Sequence, residues 1–390
     1  MSARSTSPTD IASATPAALL AWFDAHRREL PWRRDRDAYR IWVSEVMLQQ
    51  TPVEAVLPYY ERFLARFPDV AALAAAPVEE VLTLWSGLGY YRRARQLHAA
   101  ARRIAEAGGF PRTVEGLRAL PGIGEYTAAA VASQAFGVVV PVLDGNVERV
   151  LARRLAADGD PKAAPVRRRL RAAAAALLDP HRPGDSNQAL MELGATLCVP
   201  RRPRCLLCPL RESDGGGRCA GFVAGDPERY PPPRRRRATQ RQRRVAALVV
   251  RDGSVLLFRR PEDSELLAGT WELPWVEVDG GEEPAAPTGG GGRGADAASG
   301  EVAAGLARRY GGRWHLGAAL GRVRHGITYR AIELEVRRAE VSGGGVAEEG
   351  DPVPGWFAPE RLASLPLSSL VGKALRTAGA LSFAANPGAG

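Results

Sequence analysis

All four cysteines of the chain fall in one short run, Cys198, Cys205, Cys208 and Cys219, spaced C-x6-C-x2-C-x10-C and interleaved with Pro200, Pro203 and Pro209. Thiolates gathered in a proline-rich loop repel one another and stay together only around a cation, so the run reads as a ligand set. Two chemistries suit four thiolates, a 4Fe-4S cluster or a tetrahedral zinc. Zinc sites favour two close C-x2-C pairs, and here only Cys205 and Cys208 are close, which ranks iron-sulfur ahead of zinc on spacing. Two disulfides are the competing account. A chain of 390 residues buries cores without such staples, and its polar Ser/Thr-rich start lacks the apolar segment of an export signal. The expectation is a reduced, cytoplasmic protein.

At this length two domains are expected, and no apolar run approaches the ~20 residues of a membrane span. The net charge of +10 resembles a nucleic-acid signal, but residues 234–244 hold seven arginines and no acid, so the other 379 residues carry only +3. Charge alone therefore argues weakly for DNA, because a basic linker is usually just solvated. Residues 1–14 are expected to be a disordered tail, and residues 15–222 a helical domain opening at Thr15-Pro16, with the cysteine loop at 198–219. A Pro/Arg-rich linker is expected at 223–243. Residues 244–378 then read as an α+β module, with a Gly-rich, disordered insertion at 279–300 and a second disordered tail at 379–390. Within the module, 245–250 and 255–258 flank Asp252-Gly253 as a β-hairpin. A short helix near 301–310 and strands near 315–321 and 326–341 follow.

Three stretches of the helical half could carry chemistry. Leu120-Pro-Gly-Ile-Gly124 lies between two predicted helices, and its glycines, Gly122 and Gly124, allow a sharp turn that aims amide hydrogens outward at a helix N-terminus. Such a turn is a weak signal for phosphate on its own. Glu45 shares a helical face with Ile41, Trp42, Leu48 and Gln49, where desolvation raises a carboxyl pKa as a general acid requires. Asp144 follows the apolar, strand-like run 138–143 and opens the next helix, where free amides favour the charged form. A buried, hydrogen-bonded Glu and an ordinary capping Asp are the bland alternative.

Taken together, Ser44-Glu-Val-Met-Leu-Gln-Gln-Thr51, Trp85-Ser-Gly-Leu-Gly-Tyr-Tyr91, Leu120-Pro-Gly-Ile-Gly124, Leu143-Asp-Gly-Asn-Val147 and the cysteine run resemble the endonuclease III superfamily of DNA glycosylases, and within it the MutY-type adenine DNA glycosylases. The resemblance covers about residues 15–222. It implies an all-α helix-hairpin-helix domain and a 4Fe-4S cluster on Cys198, Cys205, Cys208 and Cys219. The last cysteine gap is longer than the usual five residues of the family, with Asp214-Gly-Gly-Gly217 as a loop insertion. By motif position, the resemblance implies that Glu45 protonates adenine N7 and later activates water, that Asp144 stabilises the cationic sugar or traps it transiently, and that Tyr126 and Asn146 orient them. The same resemblance implies that Gln50 and Tyr90 wedge into the base stack while the adenine is everted, packing roles being the alternative for each. Bifunctional relatives carry a lysine where this chain has Tyr126, and the only lysines are Lys162 and Lys373, so base removal without efficient strand cleavage is expected.

Residues 245–378 more weakly resemble the Nudix-like C-terminal domain of the same enzymes, through Leu267-Ala-Gly-Thr-Trp-Glu-Leu-Pro274 and Trp356-Phe357. A Nudix hydrolase holds magnesium on a helix bearing clustered Glu, and around 301–310 only Glu301 remains, so the module is expected to read a lesion and not to hydrolyse. The family reads 8-oxoguanine with a Ser-His loop between strands. Here Val323-Arg-His325 stands in its place, Arg324 replacing the serine and leaving His325 as the reader. The expectation is a multidomain, monomeric DNA glycosylase acting on duplex DNA with adenine opposite 8-oxoguanine or guanine. The alternatives are a thymine or uracil mismatch glycosylase of the same fold, a non-catalytic iron-sulfur DNA-binding protein, and a nucleotide hydrolase.

Overall fold

The computed structural model describes residues 16–212, 218–233, 238–261, 264, 267–278, 292–343, 352–362 and 364–380, with the backbone alone over 292–298. The expected tail 1–14, the Asp214–Gly217 loop insertion and most of the tail 379–390 lie outside the described residues. The chain divides into two compact units, residues 1–52, 67–75 and 99–235, and residues 53–66, 76–98 and 236–390.

Helices follow one another as α1 (Pro16–His26), α2 (Ala38–Met47), α3 (Val53–Arg66), α4 (Val70–Ala75), α5 (Val78–Leu84), α6 (Arg92–Glu106), α7 (Val114–Arg118), α8 (Glu125–Phe136), α9 (Gly145–Arg154), α10 (Ala164–Ala176), α11 (Pro183–Thr196) and α12 (Ala220–Val223). Their ends follow capping chemistry. Asp37 accepts the Arg40 amide at 2.8 Å to start α2, and Thr113 accepts the Gly116 amide at 3.1 Å to start α7. In the first unit, Leu19 and Phe23 of α1, Val147 and Leu151 of α9, Leu170 of α10 and Leu190 and Leu193 of α11 close one core. α11 lies close against α9 because Gly194 has no side chain: a Cβ there would sit 2.6 Å from the Asn146 Cβ. The run 138–143, expected to be strand-like, takes no helix or strand among the described residues.

The second unit combines α3, α5 and the loop 85–91 with two sheets. One sheet has the order β5 (Trp275–Val278), β1 (Gln240–Leu248), β7 (Arg330–Ser342), β6 (Arg313–Ile327); the other joins β2 (Val250–Arg251), β3 (Ser254–Arg259) and β4 (Trp271–Glu272), with β8 (Val353–Phe357) on β3. Residues 245–250 do not form the expected hairpin with 255–258. β1 pairs parallel with β7 and antiparallel with β5, and the hairpin across Asp252-Gly253 is confined to Val249, Val250 and Arg251 against β3. The physical reason is burial on both faces. Ala246 and Leu248 enter one apolar core while Val245, Ala247 and Val249 enter another, as suits a central strand. Helix α13 (Gly292–Tyr310) takes in residues 292–300, assigned above to the Gly-rich insertion; residues 279–291 lie outside the described residues. α14 (Pro359–Leu362) and α15 (Ser369–Thr377) complete the unit. Residues 53–66 and 76–98, counted above with the helical half, cluster with these sheets. Thr83 Oγ1 and Ser86 Oγ donate to the carbonyls of Ser364 and Leu367, each at 2.9 Å, and Tyr91 Oη donates to the Leu367 carbonyl at 2.6 Å. Among the described residues no helix is long and apolar enough to cross a membrane.

Candidate active site

Helix α2 carries Ile41, Trp42, Val43 and Met47 into the first unit's interior, and Glu45 goes in with them at 6% exposure. Two donors meet its carboxyl group. Tyr126 Oη, from the first turn of α8, lies 2.7 Å from Oε2, and Gln134 Nε2, two turns further along the same helix, lies 3.1 Å from Oε1. Burial raises the pKa of Glu45, the hydrogen bonds from Tyr126 and Gln134 oppose the rise, and the nearby charge of Asp144 adds to it. Burial and the charges of Glu45 and Asp144 together push the Tyr126 phenol well up, so its hydroxyl stays protonated and donates.

Asp144 caps α9, accepting the Val147 amide at 2.7 Å and Asn146 Nδ2 at 3.0 Å. The expectation of opposite environments for the two acids needs correction. Burial also raises the pKa of Asp144, against the donors of Val147 and Asn146 and the charge of Arg149. The asymmetry lies instead in the partners. Asp144 accepts the helix-start amide of Val147 and faces the Arg149 guanidinium, whereas Glu45 is held by the side chains of Tyr126 and Gln134 and feels the charge of Asp144.

Glu45, Tyr126, Asp144 and Asn146 thus meet in one site. Its wall adds residues that no local pattern signals. Met191 Sδ lies 3.3 Å from Tyr126 Oη. Its neighbour Glu192, 1% exposed, accepts from Arg28 Nε at 2.7 Å and from Arg33 Nη2 at 2.9 Å. Burial works against the ionised Glu192, but the two guanidiniums outweigh it and hold its pKa below the usual range. Gln134 could have been found from its place two turns after Tyr126. Glu192 lies 164 residues from Arg28, beyond any local signal.

The other expected sites are placed as follows. Between α7 and α8, Gly122 has φ 74°, a conformation that favours glycine, and Gly124 starts α8 with no capping side chain on its first amides. Gln50 is exposed at φ 59°, and Tyr90 is 43% exposed at φ 51°. His325 does not stand on a loop as expected. It belongs to β6, opposite Ile332, because β6 and β7 run as one long hairpin that turns only at Thr328-Tyr329. Burial and then the charge of Lys373 lower its pKa. Lys162 lies in a turn after α9, where its amide donates to Asp160.

All four cysteines line one cavity of about 30 Å3 in the first unit, together with Val150, Arg153, Arg154 and Leu210. Burial pushes the Cys208 thiol up to about 12 and also raises Cys205 and Cys219, so thiolates persist there only with a cationic partner. Among the described residues no three His, Cys, Asp or Glu side chains are grouped to hold a metal ion. Arg153, 2% exposed, donates to the carbonyls of Val199 and Pro200 at 2.7 Å each and approaches Cys198 Sγ at 3.4 Å. Arg149 ties this loop to the acids: Nε donates to the Cys198 carbonyl and Nη2 to Asn146 Oδ1, each at 2.8 Å.

Residues 43–175 match the family described as HhH-GPD superfamily base excision DNA repair protein, and residues 244–377 match the NUDIX domain family. The adenine DNA glycosylase of Mycolicibacterium smegmatis is 48% identical over 221 residues, covering 56% of this chain and 74% of that protein. The adenine DNA glycosylases of Mus musculus and Homo sapiens are 42% and 39% identical, each match covering 70% of this chain and, respectively, 63% and 60% of the relative. The chain therefore spans less than two thirds of the length of the mammalian relatives it matches. With the acid pair, the hairpin and the second, Nudix-like module in place, these identities establish that the chain belongs to the MutY-type adenine DNA glycosylase family.

Proposed function

We propose that the chain is a monofunctional base-excision-repair glycosylase, acting as a cytoplasmic monomer, that hydrolyses the N-glycosidic bond of adenine mispaired with 8-oxoguanine or guanine. The observation that carries this reading is the buried Glu45 carboxyl group, held by Tyr126 and Gln134 within reach of the charge of Asp144 at the start of α9. Glu45 gives a proton to N7 of the everted adenine, which makes the base a better leaving group. Asp144, held anionic by the amides of α9 and by Asn146, stabilises the positive charge that develops on the sugar. The ionised Glu45, still gripped by Tyr126 and Gln134, then takes a proton from the attacking water. No amine is needed, and Tyr126 fills the position where a lysine would form a Schiff base.

Gln50 and Tyr90, exposed and left-handed, serve as wedges into the base stack, while the turn at Gly122 and Gly124, whose helix start carries no capping side chain, receives a backbone phosphate. Cys198, Cys205, Cys208 and Cys219 would hold a 4Fe-4S cluster, whose iron supplies the positive charge that their buried thiolates require. His325 reads the 8-oxoguanine. Single-turnover assays on duplexes with adenine opposite 8-oxoguanine, guanine and thymine test the whole reading. Expected is an abasic site in the first two, revealed as a strand break only after alkali. Breaks before alkali would refute the monofunctional chemistry, and intact adenine in every duplex would refute the activity.

A further inference from the structure

Tyr90 stands on the loop between α5 and α6, and several features of that loop depend on one side chain, Arg93. Nη2 of Arg93 donates to the carbonyls of Leu88 and Gly89, each at 3.2 Å, and its backbone amide donates to the Tyr90 carbonyl at 2.8 Å. The guanidinium carbon lies 5.4 Å from the centre of the Tyr90 ring and 5.4 Å from that of Trp85, within cation–π range of both. Trp85 Nε1 in turn donates to the Gly89 carbonyl at 3.1 Å. Arg93 is only 8% exposed. Burial pulls its pKa down to about 10, which leaves it a cation at neutral pH. An apolar side chain would fill that volume without the cost of desolvating a charge, so a buried guanidinium points to a task beyond filling space. A phosphate contact does not account for it, because the side chain is buried and its Nη2 is spent on the loop carbonyls.

We propose that Arg93 is a positioning residue for Tyr90: anchored on the Leu88 and Gly89 carbonyls and on the Trp85 ring, its guanidinium holds the exposed, left-handed Tyr90 where the ring enters a duplex at a mispair. The proposal rests on the wedge role given to Tyr90 under the proposed function. Left-handed backbone at a bulky residue persists only where its surroundings impose it, and Arg93 supplies three of the contacts that do so.

The test uses the full chain with its cluster and a duplex carrying 2-aminopurine beside a mispaired adenine, with a fully paired duplex as reference. Fluorescence reports unstacking and anisotropy reports affinity. Expected for Arg93→Met is a reduced fluorescence rise and a roughly tenfold loss of affinity for the mispaired duplex alone, with affinity for the paired duplex within about twofold. Tyr90→Ala should behave alike, and the double variant should be no weaker than Tyr90→Ala. Arg93→Lys should keep part of the effect, because an ammonium can face the rings but cannot bridge two carbonyls as a planar fork does. If Arg93→Met does not fold, Arg93→Lys in combination with Tyr90→Ala carries the same comparison. Losses that multiply in the double variant, or normal unstacking by a folded Arg93→Met, would overturn the proposal while leaving the glycosylase reading intact. A wild-type protein that neither unstacks nor prefers the mispaired duplex would overturn that reading, and this proposal with it.

Discussion

At Glu45 a single carboxyl group links burial, pH and turnover. Its pKa in the folded protein lies above the ordinary value because burial disfavours the anion. Between the unfolded and folded pKa values the native state therefore binds more protons than the unfolded state, and stability falls as pH rises through that window. Glu45→Gln keeps a hydrogen-bonding partner for Tyr126 but never ionises. It should melt at a higher temperature than the wild type at pH 8, with the difference shrinking towards pH 4, while single-turnover adenine release drops by ~10²–10⁴. Melting curves that shift equally at both pH values would show that burial of the charge is not the cause. Asp144→Asn separates two roles of one residue. Asparagine caps a helix about as well as aspartate, so the fold should survive with little loss of melting temperature. Removing the negative charge opposite the developing cation should nevertheless slow base release by ~10²–10³. The places of both residues were legible in the sequence, Glu45 on an apolar helical face and Asp144 at a helix start, while their pairing as acids came only with the family resemblance. The raised pKa of Asp144 was not legible, because burial comes from α-helices that meet it only in the folded chain.

Elements bring such residues together through contacts that sequence patterns state poorly. The helices of the first unit were legible from their caps and periodic apolar residues. The use of β1 was not, because a continuous apolar run fits either arm of a hairpin or a central strand covered on both faces, and only β5 and β7 decide between them. Gly194 shows the same limit in a helix. Within α11 it looks like a weak helix former, yet it is the point where α11 lies against Asn146, the donor to Asp144. Gly194→Ala should gain helix propensity locally and still lose about 1–3 kcal/mol of stability, since backbone and Cβ atoms of Asn146 must move. Adenine release should fall along with it while affinity for undamaged duplex stays, as seen by denaturant unfolding, single-turnover rates and anisotropy. An alanine variant of wild-type stability would mean that α9 and α11 adjust freely.

Across the whole molecule the two units divide the work differently. The acids, the hairpin and the cysteine cavity belong to the first unit, whereas Tyr90, Arg93 and His325 belong to the second. Under the proposed function, chemistry and discrimination should therefore be separable by mutation. His325 carries the clearest test because burial and the charge of Lys373 lower its pKa, so at neutral pH it presents an uncharged imidazole with one donor and one acceptor. In the proposed reading role, such a ring would distinguish 8-oxoguanine from guanine by their hydrogen-bonding edges and not by charge. His325→Ala should therefore bring the rates of adenine release opposite 8-oxoguanine and opposite guanine closer together, by roughly 5- to 100-fold for the loss of one discriminating hydrogen bond. The limiting rate on adenine opposite guanine should hardly change, because Glu45 and Asp144 are untouched. Lowering the pH towards the imidazole pKa in the wild type should narrow the same ratio, whereas His325→Ala should show no such narrowing. Equal losses on both substrates would assign His325 to the general stability of the β6–β7 hairpin and leave the lesion to be read elsewhere.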